Sequence, residues 1–206
     1  MDLLHAVFLA LVQGFTEFLP ISSSGHLVLA PSFLSWEDQG LAFDVAVHLG
    51  TLIAVVAYFR HELATMTVDW LRSVTGGPVT SESRLAWAII WGTVPVAFAG
   101  FMISDPVEAY LRDPMVVATS TAGFGLLLWL ADVRGRRQRD EHSLGWSDVM
   151  LIGLAQVLAL IPGTSRSGIT MTAGLLLGLT REASARFSFL LAVPVILAAA
   201  LLQTVK

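Results

Sequence analysis

The sequence predicts an all-α, polytopic integral membrane protein built from spanning helices and two short helix hairpins that enter the bilayer without crossing it. Of its 206 residues, 55% are hydrophobic and only 14% are charged, whereas a soluble domain carries roughly 25% charge. Long apolar segments alternate with short ones, and the polar breaks within the short segments resemble each other. The net charge of −4 gives no sign of nucleic-acid binding, and the absence of cysteine excludes disulfides and thiolate metal sites.

The spanning helices follow from segment length. Four apolar segments are close to the ~20 residues that a spanning helix needs; they cover about 43–59, 85–103, 115–131 and 187–203. Four other apolar runs are too short to span, at about 3–12, 27–34, 149–161 and 171–179. These runs form two pairs around the polar breaks LPISSSGH and IPGTSRSG. Each pair predicts a re-entrant hairpin, whose irregular backbone must be buried in protein or line a cavity.

The two breaks look like copies of each other. Gln13 and the break after it match Gln156 and the second break at an offset of about 143 residues, and Phe43 matches Phe187 at nearly the same offset. Chance similarity between apolar helices is the alternative. A duplication predicts a first repeat over 1–131, a basic linker over 132–147 and a partial second repeat over 148–206. A full second copy would end roughly near residue 273, so we expect the second repeat to be incomplete at its C-terminus.

The distribution of arginine predicts the orientation. Arginines concentrate in the segments 60–84, 132–147 and 181–186, which the positive-inside rule assigns to the cytoplasm. The first hairpin then opens outward and the second inward. Three crossings separate them, so the repeats are expected to be inverted and their polar tips to meet inside the membrane.

The first break carries an acid, hydroxyl groups and an imidazole. Gln13 and Glu17 are four residues apart and share a helix face, and Pro20 is expected to end that helix. The serines at 22–24 offer caps and hydroxyls to a second short helix, with His26 one turn into it. Serine and histidine supply a nucleophile and a base, and one carboxylate suits a divalent cation.

The second break is suited to an anion. Residues 163–168 predict an amide-rich turn with Arg166 at its centre, and Ser165, Ser167 and Thr170 lie beside it. A guanidinium binds phosphate with bidentate geometry, and two helix N-termini suit a diphosphate.

Each of these residues also has a structural interpretation. Glu17 and Arg166 would serve as ion-pair partners, and serines before a short helix are most often caps. Asp44 and His48 lie in or at a spanning helix, where interhelical hydrogen bonds are expected more than a role in lining a cavity. The concentration of Glu17, His26 and Arg166 in two non-spanning breaks favours a site.

The motifs QGFTEFLPISSSGHL and PGTSRSGIT resemble the two signatures of the undecaprenyl-diphosphate phosphatases, also called bacitracin-resistance proteins, and FSFLLAVP and GLLLGLTREAS resemble that family too. The resemblance implies a multi-pass enzyme of the bacterial cytoplasmic membrane. It would remove one phosphate, on the outer side, from the C55 isoprenyl diphosphate carrier of cell-wall synthesis, with a divalent cation. The motif positions are held by Gln13, Glu17, Ser23, His26, Ser165, Arg166 and Thr170. Gln13 stands where some members have glutamate, which leaves Glu17 as the main acid.

The expected site follows from these residues. Glu17, assisted by Gln13, would hold Mg²⁺ or Ca²⁺, and Arg166 would stabilise charge on the transferring phosphoryl group. Ser23 would attack with His26 as its base, or His26 would attack with help from a serine; the sequence leaves both open. Further substrate-binding residues are expected to be Ser22, Ser24, Gly163, Thr164, Ser165, Ser167, Gly168 and Thr170.

The expected partners are a prenyl diphosphate lipid and membrane lipids, and nucleic acid is not among them. If the second repeat is incomplete, another copy of this chain would complete the pocket, so a homodimer is a further expectation. The rival function is a transporter or flippase of a phosphorylated prenyl lipid, because inverted repeats and broken helices are also its architecture.

Overall fold

The structure, a computed structural model, describes residues 2–37, 39–111 and 113–205, with side chains except those at 41, 104–109 and 203–205. Within these ranges it consists of nine α-helices and two 3₁₀ turns. The helices are α1 Leu3–Thr16, α2 Ser23–Leu34, α3 Gly40–Tyr58, α4 Arg60–Val74, α5 Ser81–Tyr110, α6 Pro114–Arg134, α7 Trp146–Val157, α8 Arg166–Leu176 and α9 Arg181–Val205. The 3₁₀ turns are Glu141–Ser143 and Leu158–Leu160.

Long apolar helices confirm a polytopic membrane protein. Three described helices, α5, α6 and α9, are long and apolar enough to cross a bilayer, and α3 passes the same test together with α4. At most 33% of the most apolar stretch in α5, α6 or α9 is buried inside the protein, so the remaining apolar side chains face lipid. All four segments predicted to span fall on these helices.

The structure contains a further helix after α3, in the arginine-rich segment 60–84, for which the apolar segments predicted no element. A helix, α4, occupies Arg60–Val74 and is bent by 80° from α3. The charged residues Arg60, Glu62, Asp69 and Arg72 lower its mean hydropathy, which concealed the helix from a search for apolar segments. Its apolar side chain Met66 is buried in the core while the other faces remain accessible, as expected of an amphipathic helix.

The two short-helix pairs form the hairpins α1–α2 and α7–α8. Pro20 does not end α1, which stops at Thr16, and the turn at 17–20 carries the chain into α2. In the second hairpin the turn Leu158–Leu160 extends α7 towards the break. In both pairs the polar residues therefore lie where helical hydrogen bonding is interrupted.

The core lies where the second hairpin crosses the long helices. Its buried apolar side chains come from α3, α4, α5, α7 and α9, with Ile152 and Phe187 almost inaccessible. At the crossing of α5 and α7, a Cβ on Gly153 would lie 2.7 Å from the carbonyl oxygen of Gly92. Small residues let membrane helices approach this closely, which fixes α7 against α5.

Ion pairs join the three arginine-rich segments to one another. Arg186 at the start of α9 donates to Glu141 of the linker and to Glu62 of α4, at 2.8 Å each. Arg139 of the linker donates to Asp148 of α7 at 2.6 Å. Burial raises the pKa of Asp148, but hydrogen bonds from Arg139 and from the Gly145 amide outweigh it and leave that pKa below its usual value. The carboxylate therefore stays ionised and holds the linker against α7.

Candidate active site

The two hairpin breaks meet through an ion pair. Arg166 Nη2 donates to Glu17 Oε1 at 2.6 Å, where the Glu17 side chain is buried and that of Arg166 is partly buried. Ser167 Oγ also donates to the Glu17 and Leu19 carbonyl oxygens, at 3.5 and 3.4 Å. These contacts join residues about 150 positions apart in the chain. The predicted meeting of the polar tips is thus observed directly.

Glu17 is the hub of the site. Its second oxygen, Oε2, accepts a hydrogen bond from Ser23 Oγ at 2.5 Å and lies 3.0 Å from His48 Nε2. Gln13 Nε2 donates to the same oxygen at 3.4 Å, one helical turn earlier, and to Thr51 Oγ1 at 3.2 Å. The shared face of Gln13 and Glu17 survives because the Glu17 amide still donates to the Gln13 carbonyl oxygen, at 2.9 Å. A carboxylate at 6% exposure is therefore satisfied from several directions.

The first turns of α2 and α8 are built alike. Ser22 caps α2 by accepting from the Gly25 amide, and Ser165 caps α8 by accepting from the Gly168 amide. Ser23 and Arg166 are then the first residues of the two helices. Equivalent positions in the two hairpins thus present a hydroxyl and a guanidinium to the same carboxylate.

Helix α6 holds the second break by side chains that the sequence analysis did not single out. Ser120 Oγ donates to the Pro162 carbonyl oxygen at 2.6 Å, and Thr121 Oγ1 donates to the Gly163 carbonyl oxygen at 2.9 Å. Gly163 has φ of +91° and packs so closely on α6 that a Cβ would lie 2.2 Å from Ser120 Oγ. These contacts fix the turn that leads into Arg166.

A cavity of about 260 Å³ opens beside the ion pair. Polar residues of both hairpins line it together with apolar side chains of α3, α5 and α9, among them Val45, Val96 and Ile196. The Thr164 hydroxyl, in a residue 1% exposed that lines this cavity, has no hydrogen-bond partner in the described part of the protein. A buried donor of this kind is available to a ligand.

The predicted site residues divide into two groups. Those that line the cavity are Glu17, Ser23, Ser24, Thr164, Ser165, Arg166 and Ser167. The remainder lie behind them, where they cap, brace or turn the chain: Gln13, Ser22, His26, Gly163, Gly168 and Thr170. Thr170, for example, donates to the Arg166 carbonyl oxygen at 3.0 Å and bonds Ser188 Oγ at 2.8 Å, which stabilises the first turn of α8.

His26, which was expected in the site, lies outside the cavity lining, whereas His48, which was expected mainly to join helices, lies in it. His26 Nδ1 contacts the Ser22 carbonyl oxygen at 2.7 Å, and His26 is not among the cavity-lining residues. Asp44 and His48, expected to serve mainly in interhelical hydrogen bonds, line the cavity, and His48 Nε2 lies 3.4 Å from Ser23 Oγ. The signal for these two was present, since ionisable residues in a spanning helix usually face a functional interior.

The arrangement does not fit a cation held by Glu17 and Gln13. Both Glu17 oxygens are engaged, and Gln13 turns its amide NH₂ rather than an oxygen towards Glu17. Within 2–37, 39–111 and 113–205, no three His, Cys, Asp or Glu residues are grouped for metal binding. Mg²⁺ prefers ideally placed oxygens at about 2.0–2.1 Å, and this pair of residues offers no free oxygen of that kind.

Comparison with known proteins identifies the family. The chain is 63% identical over 199 residues to an undecaprenyl-diphosphatase of Nitrosococcus oceani, covering 97% of this chain and 75% of the relative. It is 60% identical over 207 residues to undecaprenyl-diphosphatase 2 of Stutzerimonas stutzeri, covering 99% and 77%. Residues 6–206 match the family described as bacitracin resistance protein BacA. The chain therefore belongs to the BacA family of bacitracin resistance proteins.

Proposed function

We propose that this protein hydrolyses undecaprenyl diphosphate to undecaprenyl phosphate and inorganic phosphate. The observation that carries the proposal is the position of Glu17 in the cavity, where one oxygen accepts from Ser23 and the other from Arg166. Phosphoryl transfer to a serine uses a nucleophile, a proton acceptor and a positive charge beside the phosphate. Here the Ser23 hydroxyl lies 2.5 Å from a carboxylate oxygen that also pairs with a guanidinium. The relatives named undecaprenyl-diphosphatase support the choice of substrate.

The diphosphate would bind between the first turns of α2 and α8. Both helix N-termini face it with partial positive charge and backbone amides. Arg166 adds a full charge and keeps its orientation through Nη1, which donates to the Ser188 carbonyl oxygen at 3.1 Å. The Thr164 hydroxyl supplies a further donor to a phosphate oxygen. These donors stabilise the charge that gathers on the transferring group.

Ser23 then attacks the terminal phosphorus. Its Oγ forms the new bond to phosphorus as the bond to the bridging oxygen breaks, and undecaprenyl phosphate leaves. The Oγ proton passes to Glu17 Oε2, the acceptor already in contact. Glu17 passes that proton to the oxygen of the departing undecaprenyl phosphate and is ionised again when water attacks the phosphoserine. It then takes a proton from the attacking water and returns it to the serine oxygen as inorganic phosphate departs. His26 as base or nucleophile is the alternative that this geometry favours less, because its Nδ1 contacts a backbone carbonyl oxygen.

The lipid tail would extend along the apolar side chains that α3, α5 and α9 contribute to the cavity. Membrane lipids surround the exposed apolar faces of these helices. The arginine-rich segments assign one end of the molecule to the cytoplasm, and we place the protein in the bacterial cytoplasmic membrane with its reaction on the outer side. A homodimer stays a prediction.

Purified protein in detergent is expected to release phosphate from undecaprenyl diphosphate, and Ser23→Ala to reduce kcat by about 10³-fold or more because the nucleophile is lost. Rapid quenching after mixing with terminally ³²P-labelled substrate is expected to trap an acid-stable phosphoenzyme in the unmodified protein and none in Ser23→Ala. Ser32→Ala, at an exposed position beyond the cavity, is the matched control.

Two results would contradict this proposal. An acid-labile phosphoenzyme would transfer the nucleophilic role to a histidine. Movement of the lipid across vesicles without phosphate release would support the flippase interpretation instead.

The requirement for Mg²⁺ or Ca²⁺ stays a prediction of the family resemblance. We expect pretreatment with EDTA to lower phosphate release and either ion to restore it. Equilibrium dialysis with ⁴⁵Ca²⁺ in the absence of substrate is expected to show no tight binding, because Glu17 is already engaged. Tight binding to the protein alone would show that the Glu17–Arg166 pair opens to admit the ion.

A further inference from the structure

We propose that His48 of α3 is a positioning residue for the reaction, which holds Glu17 in place to receive the Ser23 proton. The inference rests on the proposed function and adds a third structural element, outside both hairpins, to the machinery. It assigns to α3 a role that neither signature motif contains. His48 acts through Glu17 and makes no bond to the lipid.

The first argument is the placement of the imidazole. Nδ1 lies 2.5 Å from the Asp44 carbonyl oxygen one turn earlier, which fixes the ring plane against its own helix. Nε2 lies 3.0 Å from Glu17 Oε2 and 3.4 Å from Ser23 Oγ. A carboxylate oxygen only accepts hydrogen bonds, so the contact at 3.0 Å places a proton on Nε2. His48 therefore donates to the same carboxylate oxygen that accepts from Ser23.

The second argument is that α3 braces the Gln13–Glu17 pair at two points. Thr51, three residues after His48 and on the same face, accepts from Gln13 Nε2 at 3.2 Å. Gln13 in turn donates to Glu17. The carboxylate is therefore held by α3 directly through His48 and indirectly through Thr51, while Arg166 holds its other oxygen.

The third argument is the geometry that transfer from Ser23 requires. A short hydrogen bond to one particular oxygen is productive only if the carboxyl group cannot rotate away. Arg166 fixes Oε1, and without His48 the orientation of Oε2 would depend on Gln13 at 3.4 Å. Groups that orient the ligands of a metal site typically contribute 10- to 100-fold to activity, and we expect an effect of the same order from a group that orients a catalytic carboxylate.

The test compares substitutions that keep or remove the donor at the position of Nε2. His48→Gln retains an NH₂ group at a similar reach, whereas His48→Asn is polar but too short, and His48→Leu fills the space without a donor. We expect His48→Leu and His48→Asn to lower kcat for undecaprenyl diphosphate about 10- to 100-fold, with KM within about twofold of the unmodified protein. His48→Gln is expected to stay within about threefold of the unmodified kcat. His61→Leu, at an exposed histidine on α4, is the control.

The pattern among the variants decides the proposal. A purely structural role would reduce the yield or melting temperature and leave kcat of the folded protein intact. Unchanged kcat in His48→Asn, or equal loss in His48→Gln and His48→Asn, would overturn it. If His48→Leu does not fold, the kcat of His48→Gln compared with that of His48→Asn still tests the proposal. Failure of the proposed function is recognised separately, because the unmodified protein would then release no phosphate.

Discussion

Replacement of Glu17 by glutamine is expected to reduce kcat for phosphate release by about 10³-fold. Glutamine has nearly the same shape but cannot take the proton of Ser23 Oγ, which now lies 2.5 Å from Oε2. It also removes the negative charge that faces Arg166 at 2.6 Å. The same substitution therefore affects the proton acceptor and the alignment of the phosphate-binding group together.

A loss of stability is expected to accompany the loss of activity. Removal of the charge leaves the partly buried Arg166 with a neutral acceptor, and a hydrogen bond to a charged group is worth about 1.5–3 kcal/mol. Thermal unfolding in detergent, followed by intrinsic fluorescence, is expected to occur at a lower temperature in Glu17→Gln. Glu37→Gln removes a carboxylate from an exposed position and should match the unmodified protein in both measurements. Turnover by Glu17→Gln within tenfold of the unmodified rate would exclude Glu17 as the proton acceptor.

The features that the sequence predicted are those that depend on local chemistry. Hydropathy and length located the spanning helices because each must bury about 20 apolar residues in lipid. The hairpins followed from polar breaks in runs too short to span, and the duplicated caps explain why both breaks contain serine three residues before glycine. Glu17 and Arg166 were recognisable because a carboxylate and a guanidinium rarely occur at such positions without a function. The choice of Ser23 among the three serines at 22–24 came from the family resemblance.

The features that the sequence did not predict depend on packing between distant segments. Ser120 and Thr121 look like ordinary small polar residues of a membrane helix, which usually bond to their own helix. Ser120 does contact the Val117 carbonyl oxygen at 3.0 Å, but it also reaches Pro162, 42 residues away. His48 contacts Glu17 only because α3 packs against α1. No local pattern specifies these pairs.

The packing of the second break on α6 leads to the other large expected effect, that of Gly163→Ala. The backbone of Gly163 has φ of +91°, where residues with a Cβ are strained by about 1–2 kcal/mol. The added methyl would also lie 2.2 Å from Ser120 Oγ and 2.4 Å from the Val117 carbonyl oxygen. Because the second of these atoms is backbone, a side-chain rotation cannot relieve the clash. We expect a destabilisation of about 3 kcal/mol and a loss of activity of about 100-fold.

Activity is lost because the turn has to move away from α6. Its displacement breaks the hydrogen bonds from Ser120 and Thr121 to the carbonyl oxygens of residues 162 and 163. Arg166 follows three residues later and moves with the turn, so its guanidinium leaves the position opposite Glu17. A displacement of about 1 Å in a positioning group costs up to 10²-fold in rate.

Gly123→Ala on the same helix α6 provides the matched control. Nothing lies within 4 Å of a Cβ at Gly123, so alanine there should leave kcat unchanged and raise stability by up to about 1 kcal/mol through its higher helix propensity. Phosphate release and melting temperature, measured for both variants, separate the effect of this packing from the general effect of a methyl group. If Gly163→Ala retained the unmodified rate and melting temperature, the turn would not depend on close packing against α6, and Ser120 and Thr121 would have no part in orienting Arg166.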